Sequence, residues 1–137
     1  MKQARTIAIR TIGFLAVAAV AAAILVPPIE AKREERRIRA MLLIVQEGLQ
    51  NYHVDEEIYP RRMMKGGELV FFLEGEGFLE GGVSNPWTGE PYGEGADPDW
   101  LRYRTDALAE TYELIVTEPD GETVRFRLDS TENQSLE

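Results

Sequence analysis

The sequence contains no cysteine and only one histidine, His53. Without cysteine the chain forms no disulfide, has no thiolate nucleophile and gives no indication of its redox compartment. It also has no Ser, His and Asp set, no HExxH motif and no glycine-rich phosphate loop. Because catalysis needs reactive groups that converge on one site, we expect no enzyme and predict no catalytic residues and no cofactor.

Potential metal ligands are few. His53 lies close to three acidic residues, Asp55, Glu56 and Glu57, where a metal ion or a general base can be imagined, but a solvated helix end is the interpretation we favour. Four further aspartates, which we expect in loops, could bind Ca²⁺: Asp97, Asp99, Asp106 and Asp120. Since their spacing is not that of an EF-hand, we predict no metal site.

Three aromatic residues lie between positions 83 and 100, a segment rich in glycine and proline that we expect to be a long loop. Trp87, Tyr92 and Trp100 could hold a ligand by stacking. Large aromatic side chains more often fasten a long loop to a small core. We favour that second interpretation.

Charge is unevenly distributed along the chain, whose formal net charge is -9. Residues 1–39 hold eight basic and three acidic side chains, and the remaining 98 residues hold seven basic and 21 acidic ones. The acidic portion repels nucleic-acid backbones, so no nucleic acid is expected as a partner. The basic portion suits lipid phosphates and predicts membrane lipid as a partner.

Residues 1–29 combine a short basic segment with an apolar run, Thr11 to Val26, that contains no charge. At about 1.5 Å per residue the run rises roughly 24 Å, a little less than a hydrocarbon core of about 30 Å, and Ile7 to Ile9 lengthen it. We predict a transmembrane helix. A cleaved signal peptide is the alternative, because Ala21 to Ala23 supply an A-x-A pattern. Basic clusters lie on both sides of the run, and the larger one follows it, so the positive-inside rule alone disfavours an exported domain.

Residues 30–54 have the period of an amphipathic helix. Pro27 and Pro28 either end the preceding helix or lie within one bent helix, which we favour because helical periodicity resumes after them and continues to about Val54. The apolar residues recur at steps of three or four: Ile38, Met41, Leu42, Val45, Leu49 and Tyr52.

The remainder predicts an α+β domain, in which residues 30–130 form one head. We expect short helices and a loop in 55–100, an antiparallel sheet in 101–130 and a frayed tail in 131–137. Alternation predicts three strands, which comprise Leu101 to Arg104, Tyr112 to Val116 and Val124 to Leu128, with a turn at Glu118 to Glu122 between the last two. The helix should cover one apolar face of this sheet, including Leu101, Tyr103, Val124, Phe126 and Leu128.

Two motifs within this arrangement resemble type IV pilin-like proteins, above all the major pseudopilin of type II secretion systems. Tyr52, Asp55, Tyr59 and Pro60 match the family's Y-x-x-D-x-x-x-Y-P element at the helix end. Residues 85–91, Asn-Pro-Trp-Thr-Gly-Glu-Pro, match its loop before the sheet. Gly13-Phe14 matches its processing site, whereas Ala18 stands where the family has a glutamate.

The resemblance implies a long N-terminal helix, membrane-embedded in its first half, packed on a small sheet. It also implies a structural subunit or assembly partner of a secretion or pilus machine, with the head outside the cytoplasm and other pilin-like subunits bound through the N-terminal helix. The alternative from another class is a ligand-binding domain released by signal peptidase.

Overall fold

A computed structural model describes the backbone of residues 2–131 and the side chains of residues 28–131. Contacts divide the chain into two compact units, Met1–Arg36 and Arg37–Glu137. The second unit, called the head below, contains the sheet and the hydrophobic core. It begins at residue 37, where the sequence predicted residue 30.

Helix α1, Lys2–Glu56, is a single α-helix of 55 residues. It continues through Pro27 and Pro28, as predicted, although each proline removes one backbone donor from the helix. It ends two residues beyond the predicted Val54. Glu57 then adopts a φ of 63°, in the left-handed region, and this conformation terminates the helix.

The predicted stripe on α1 is buried in the head. Ile38, Met41, Leu42, Val45 and Leu49 are all buried, and Tyr52 packs against them at the margin. Burial of a Leu or Ile side chain contributes about 1.5–3 kcal/mol each. The stripe is therefore a principal source of the head's stability.

The second helix, α2, spans Gly66–Gly75. It contains the apolar burst predicted to be helical, and its residues Leu69, Val70 and Leu73 are buried in the same core. Residues 83–100 contain no strand or helix apart from one isolated bridge between Ser84 and Pro91. The structure therefore agrees with a long loop here.

The sheet has four antiparallel strands in the order β1-β2-β3-β4. They are β1 Met64–Lys65, β2 Leu101–Thr105, β3 Tyr112–Thr117 and β4 Val124–Asp129. The three predicted strands are present, but the predicted number of strands was wrong. Two-residue β1 has no period of its own and exists because Met64 and Lys65 pair with Tyr103 and Arg102.

One residue of the predicted apolar face lies outside the core. Val124 is 47% exposed, whereas Leu128 is buried and Phe126 packs at the core's margin. The cause is a bulge: Val116 pairs with Phe126 but Thr117 pairs with Val124, so Arg125 is an extra residue on β4. The bulge shifts the alternation by one and turns Val124 to solvent.

The predicted membrane anchor, residues 1–29, lies almost entirely outside the residues whose side chains are described. Among those residues, 28–131, no helix is long and apolar enough to cross a membrane. The anchor therefore stays a prediction from the sequence.

Candidate functional site

The loop of residues 83–100 is organised by Asn85, which is 2% exposed. Its N–H donates to the Glu90 carbonyl at 2.8 Å, and its carbonyl accepts from the Gly89 N–H at 2.8 Å. Its side-chain Nδ2 donates to the Pro98 carbonyl, and its Oδ1 accepts from the Trp87 N–H, each at 2.9 Å. One buried amide thus holds both ends of the loop together, since each of its groups has a partner.

Asp99 joins the end of this loop to the start of α2. One of its oxygens, Oδ2, accepts from the Gly67 N–H at 2.9 Å, while Oδ1 accepts from the Tyr92 hydroxyl and from the Leu101 N–H. The carboxylate lies at the positive end of the α2 dipole and is favoured there. Burial, and then the negative charge of Asp99, raise the pKa of Tyr92 far above its usual range, so the phenol remains a donor.

Two glycines at the start of α2 permit this close approach. A Cβ atom added to Gly66 would lie 2.2 Å from the Tyr92 hydroxyl, and one added to Gly67 would lie 2.4 Å from the Gly93 carbonyl oxygen. Only glycine leaves room for the loop at these positions. The site therefore consists of Gly66, Gly67, Tyr92 and Asp99, and we call it the α2 clasp.

The three loop aromatics contact protein instead of forming an open platform. Trp87 and Trp100 meet edge to face, with ring centroids 5.2 Å apart, and both are half-buried. Tyr92 is 2% exposed and bound to Asp99. In this arrangement the aromatics fasten the loop to the core, which supports the favoured interpretation of these residues.

Aromatic side chains from the end of α1, from the segment that follows it and from the sheet form a chain of contacts. His53 stacks on Tyr59 at 4.5 Å, and Tyr59 meets Tyr112 edge to face at 4.7 Å. Tyr103 donates its hydroxyl to the Pro60 carbonyl at 2.9 Å. His53 therefore belongs to a packed stack, and the segment that follows the helix is held against the sheet.

The candidate calcium ligands are separated in the fold. Asp106 and Asp120 each accept hydrogen bonds within their own turns, from Thr111 and Leu108 and from Glu122 and Thr123 respectively. These bonds lower the pKa of both carboxyl groups. Within residues 28–131 no group of three His, Asp or Glu side chains is placed to hold a metal ion.

An open groove lies along the outer side of α1, between the helix and residues 77–89. It comprises two adjoining hollows of about 550 and 460 Å³, which share Ile44, Gly82 and Val83. Ile44, which lines both hollows, is 40% exposed, and the preceding residue, Leu43, is 47% exposed. The larger hollow is lined by Glu47, Asn51 and Glu80 as well as by apolar side chains, and Met41 and Val83 contribute apolar surface to the smaller one.

No protein-family model, no curated protein and no solved structure matches this chain. Sequence reasoning did not find the α2 clasp. The signal available was the Gly66-Gly67 pair immediately before the apolar burst of α2.

Proposed function

We propose that this protein is a pilin-like structural subunit or assembly partner of a type II secretion or type IV pilus-like machine. One N-terminal helix anchors it in the membrane, and the head lies outside the cytoplasm. The observation that carries this proposal is the length of α1. It is one helix of 55 residues, yet its described buried side chains begin only at Ile38.

The part of α1 that precedes Ile38 is longer than a helix needs to be to cross a bilayer. Residues 2–37 would rise about 54 Å as a helix, whereas a hydrocarbon core is about 30 Å thick. Within this part, the run from Thr11 to Val26 is apolar, uncharged and rich in alanine. Small residues permit helices to approach closely within a membrane. These features support lateral packing of α1 against equivalent helices.

The way in which the head uses its polar and aromatic side chains supports the same role. The α2 clasp and the Asn85 loop use their polar groups to hold the chain together, and the loop aromatics are packed. What remains open is the groove beside α1, which Ile44 lines, together with the exposed side chain of Leu43 on the same helix. A scaffold with a packed interior and an open helix flank suits contacts between proteins more than chemistry.

Cysteine cross-linking tests the proposal because the native chain has no cysteine. Ala19→Cys and Ala22→Cys chains are expressed in membranes with the other subunits of the machine and then oxidised. We expect cross-linked bands through α1, either between copies or to another pilin-like subunit. Glu110→Cys, at an exposed position in the head, is the control. Absence of α1 bands under conditions that oxidise the thiols would contradict the proposal.

N-terminal sequencing separates the proposal from the released ligand-binding domain. A mature chain in the membrane fraction that begins at Met1 or Phe14 is the expected result. A chain in the soluble fraction that begins at Ile24, after the Ala21 to Ala23 pattern, would favour the released domain.

A further inference from the structure

The sheet carries a concentration of positive charge in an otherwise acidic head. Residues 40–137 contain seven Lys and Arg, and five of these lie on strands: Lys65, Arg102, Arg104, Arg125 and Arg127. Four of the five are exposed, and Arg125 is half-buried. The strand residues between them, such as Met64, Leu101 and Tyr103, point into the core.

The strand register aligns these residues in a row across the outer surface. Lys65 lies opposite Arg102, Arg102 opposite Ile115, and Ile115 opposite Arg127. Arg104 and Glu113 form the next row, beside Asp129. Paired strand residues lie on one side of a sheet, so this is one continuous surface. We call these seven residues the basic face: Lys65, Arg102, Arg104, Glu113, Ile115, Arg127 and Asp129.

Carboxylates on the basic face neutralise only part of its charge. Glu113 contacts Arg104 at 2.5 Å and Arg127 at 2.9 Å. Arg102 donates to the carbonyls of Asp99 and Leu101, which carry no charge. Four basic side chains against Glu113 and Asp129 leave a formal charge of +2, with half-buried Ile115 near the centre.

An acidic segment that also contains one exposed apolar residue lies at the C-terminal end of helix α1. Val54 is 77% exposed and is followed by Asp55, Glu56 and Glu57, all exposed. The negative end of the helix dipole disfavours carboxylates here, and His53 is the only basic residue of the last turn. Within residues 28–131 none of the three carboxylates forms an ion pair. The segment is therefore an exposed anionic end with one apolar side chain.

We propose that the basic face of one copy binds residues 54–57 of a second copy. The two surfaces do not pair within a single head, because the core side of the sheet packs against α1 and the basic face is the opposite side. Charge complementarity selects the partner, and Val54 and Ile115 supply an apolar centre. Since the two surfaces differ, the contact is heterologous and can repeat from copy to copy. The inference rests on the proposed function for the setting in which copies meet.

Charge reversal tests this contact with full-length protein in detergent micelles that contain no added lipid. We expect Arg102→Glu with Arg127→Glu to weaken self-association at least about tenfold, measured by sedimentation at low salt. The matched control is Arg61→Glu with Arg62→Glu, which changes net charge equally at exposed positions that are not part of the basic face. Circular dichroism checks that each variant is folded.

Reversal of the acidic segment, Asp55→Lys with Glu56→Lys and Glu57→Lys, should weaken association equally. The triple change Glu90→Lys, Glu110→Lys and Glu122→Lys, also at exposed positions, is its control. A chain that carries both reversals should associate again, since complementarity is restored. Equal effects of the control variants, or no effect of any variant, would overturn the inference.

A disulfide test separates this inference from the proposed function. Chains with Val54→Cys and Ile115→Cys are mixed in the same micelles and oxidised. We expect a disulfide between the two kinds of chain and at least about tenfold less between chains of one kind. If the α1 cross-links form but this disulfide does not, only the inference fails. If the disulfide forms without α1 cross-links, the contact stands and the proposed function fails.

Discussion

At the scale of single residues, two neighbouring tyrosines have opposite hydrogen-bonding situations. Tyr103 donates to the Pro60 carbonyl, whereas the buried Tyr112 hydroxyl lies near Gln46 but makes no hydrogen bond of normal geometry. Removal of one buried partner costs about 1–3 kcal/mol, since the other group remains desolvated. We therefore expect Tyr103→Phe to destabilise the head by roughly this amount and Tyr112→Phe to leave it unchanged or more stable.

The measurement is urea unfolding of the full-length chain in detergent, followed by near-ultraviolet circular dichroism. The two variants serve as each other's control, because both remove one hydroxyl from stacked rings whose centroids are 6.3 Å apart. Equal losses of stability in the two variants would show that the hydrogen bond to Pro60 does not decide the difference.

The limits of prediction from sequence are also visible at this scale. Alternation placed Leu101, Tyr103 and Leu128 correctly on the buried face, because a strand has a period of two. The same rule failed at Val124, since the bulge at Arg125 depends on how β4 pairs with β3. The neighbour's register is not contained in the local pattern.

At the scale of elements, the α2 clasp makes a sharp contrast between glycines at the two ends of one helix. Gly67→Ala brings Cβ to 2.4 Å from the Gly93 carbonyl oxygen, but nothing lies within 4 Å of a Cβ at Gly75. We expect Gly67→Ala to destabilise the head by about 1–3 kcal/mol, because backbone must move and the Asp99 hydrogen bond is disturbed. Gly75→Ala should stabilise it by up to about 1 kcal/mol, through helix propensity.

Thermal unfolding of both variants beside the native chain checks this prediction. A Gly67→Ala chain as stable as Gly75→Ala would indicate that the loop of residues 83–100 can move away from α2 without cost. In that case Asp99 and Tyr92 would contribute little to the head.

Elements differed in how well the sequence predicted them. The stripe from Ile38 to Leu49 and the three longer strands have local periods that persist over several residues, and the structure confirms them. Strand β1 has two residues and arises from pairing with β2, so no local sequence pattern predicts it. The hydrogen bond between Gly67 and Asp99 joins residues 32 positions apart, so no local sequence motif predicts it.

At the scale of the whole molecule, the burial of tyrosine side chains makes the stability of the head depend on pH in the alkaline range. Burial raises the pKa of Tyr112 to about 12, with smaller increases from Tyr59 and Asp129 and an opposing effect of Gln46. Burial raises the pKa values of Tyr92 and Tyr103 still further. All three tyrosines belong to the one core of the head, so their ionisation and its unfolding are linked.

The sign of the effect follows from the protonated phenol. A tyrosine whose folded pKa is raised contributes its full stability below the unfolded value of 10.0. As pH rises above that value the unfolded chain releases protons that the folded chain retains, so stability falls, and Tyr112 stops contributing above about 12. Each such group adds up to about 1.4 kcal/mol per pH unit to the slope.

We therefore expect the urea midpoint of the full-length chain to fall steeply above pH about 10. Tyr112→Phe should make this fall shallower by one group's share while it leaves the midpoint at neutral pH nearly unchanged. Phenolate absorbance of the folded chain provides an independent measurement, because the buried tyrosines should ionise well above pH 10 while the head stays folded, with a pKa of about 12 for Tyr112. Ionisation of all the tyrosines near pH 10, with the near-ultraviolet circular dichroism of the head intact, would contradict the burial of these rings.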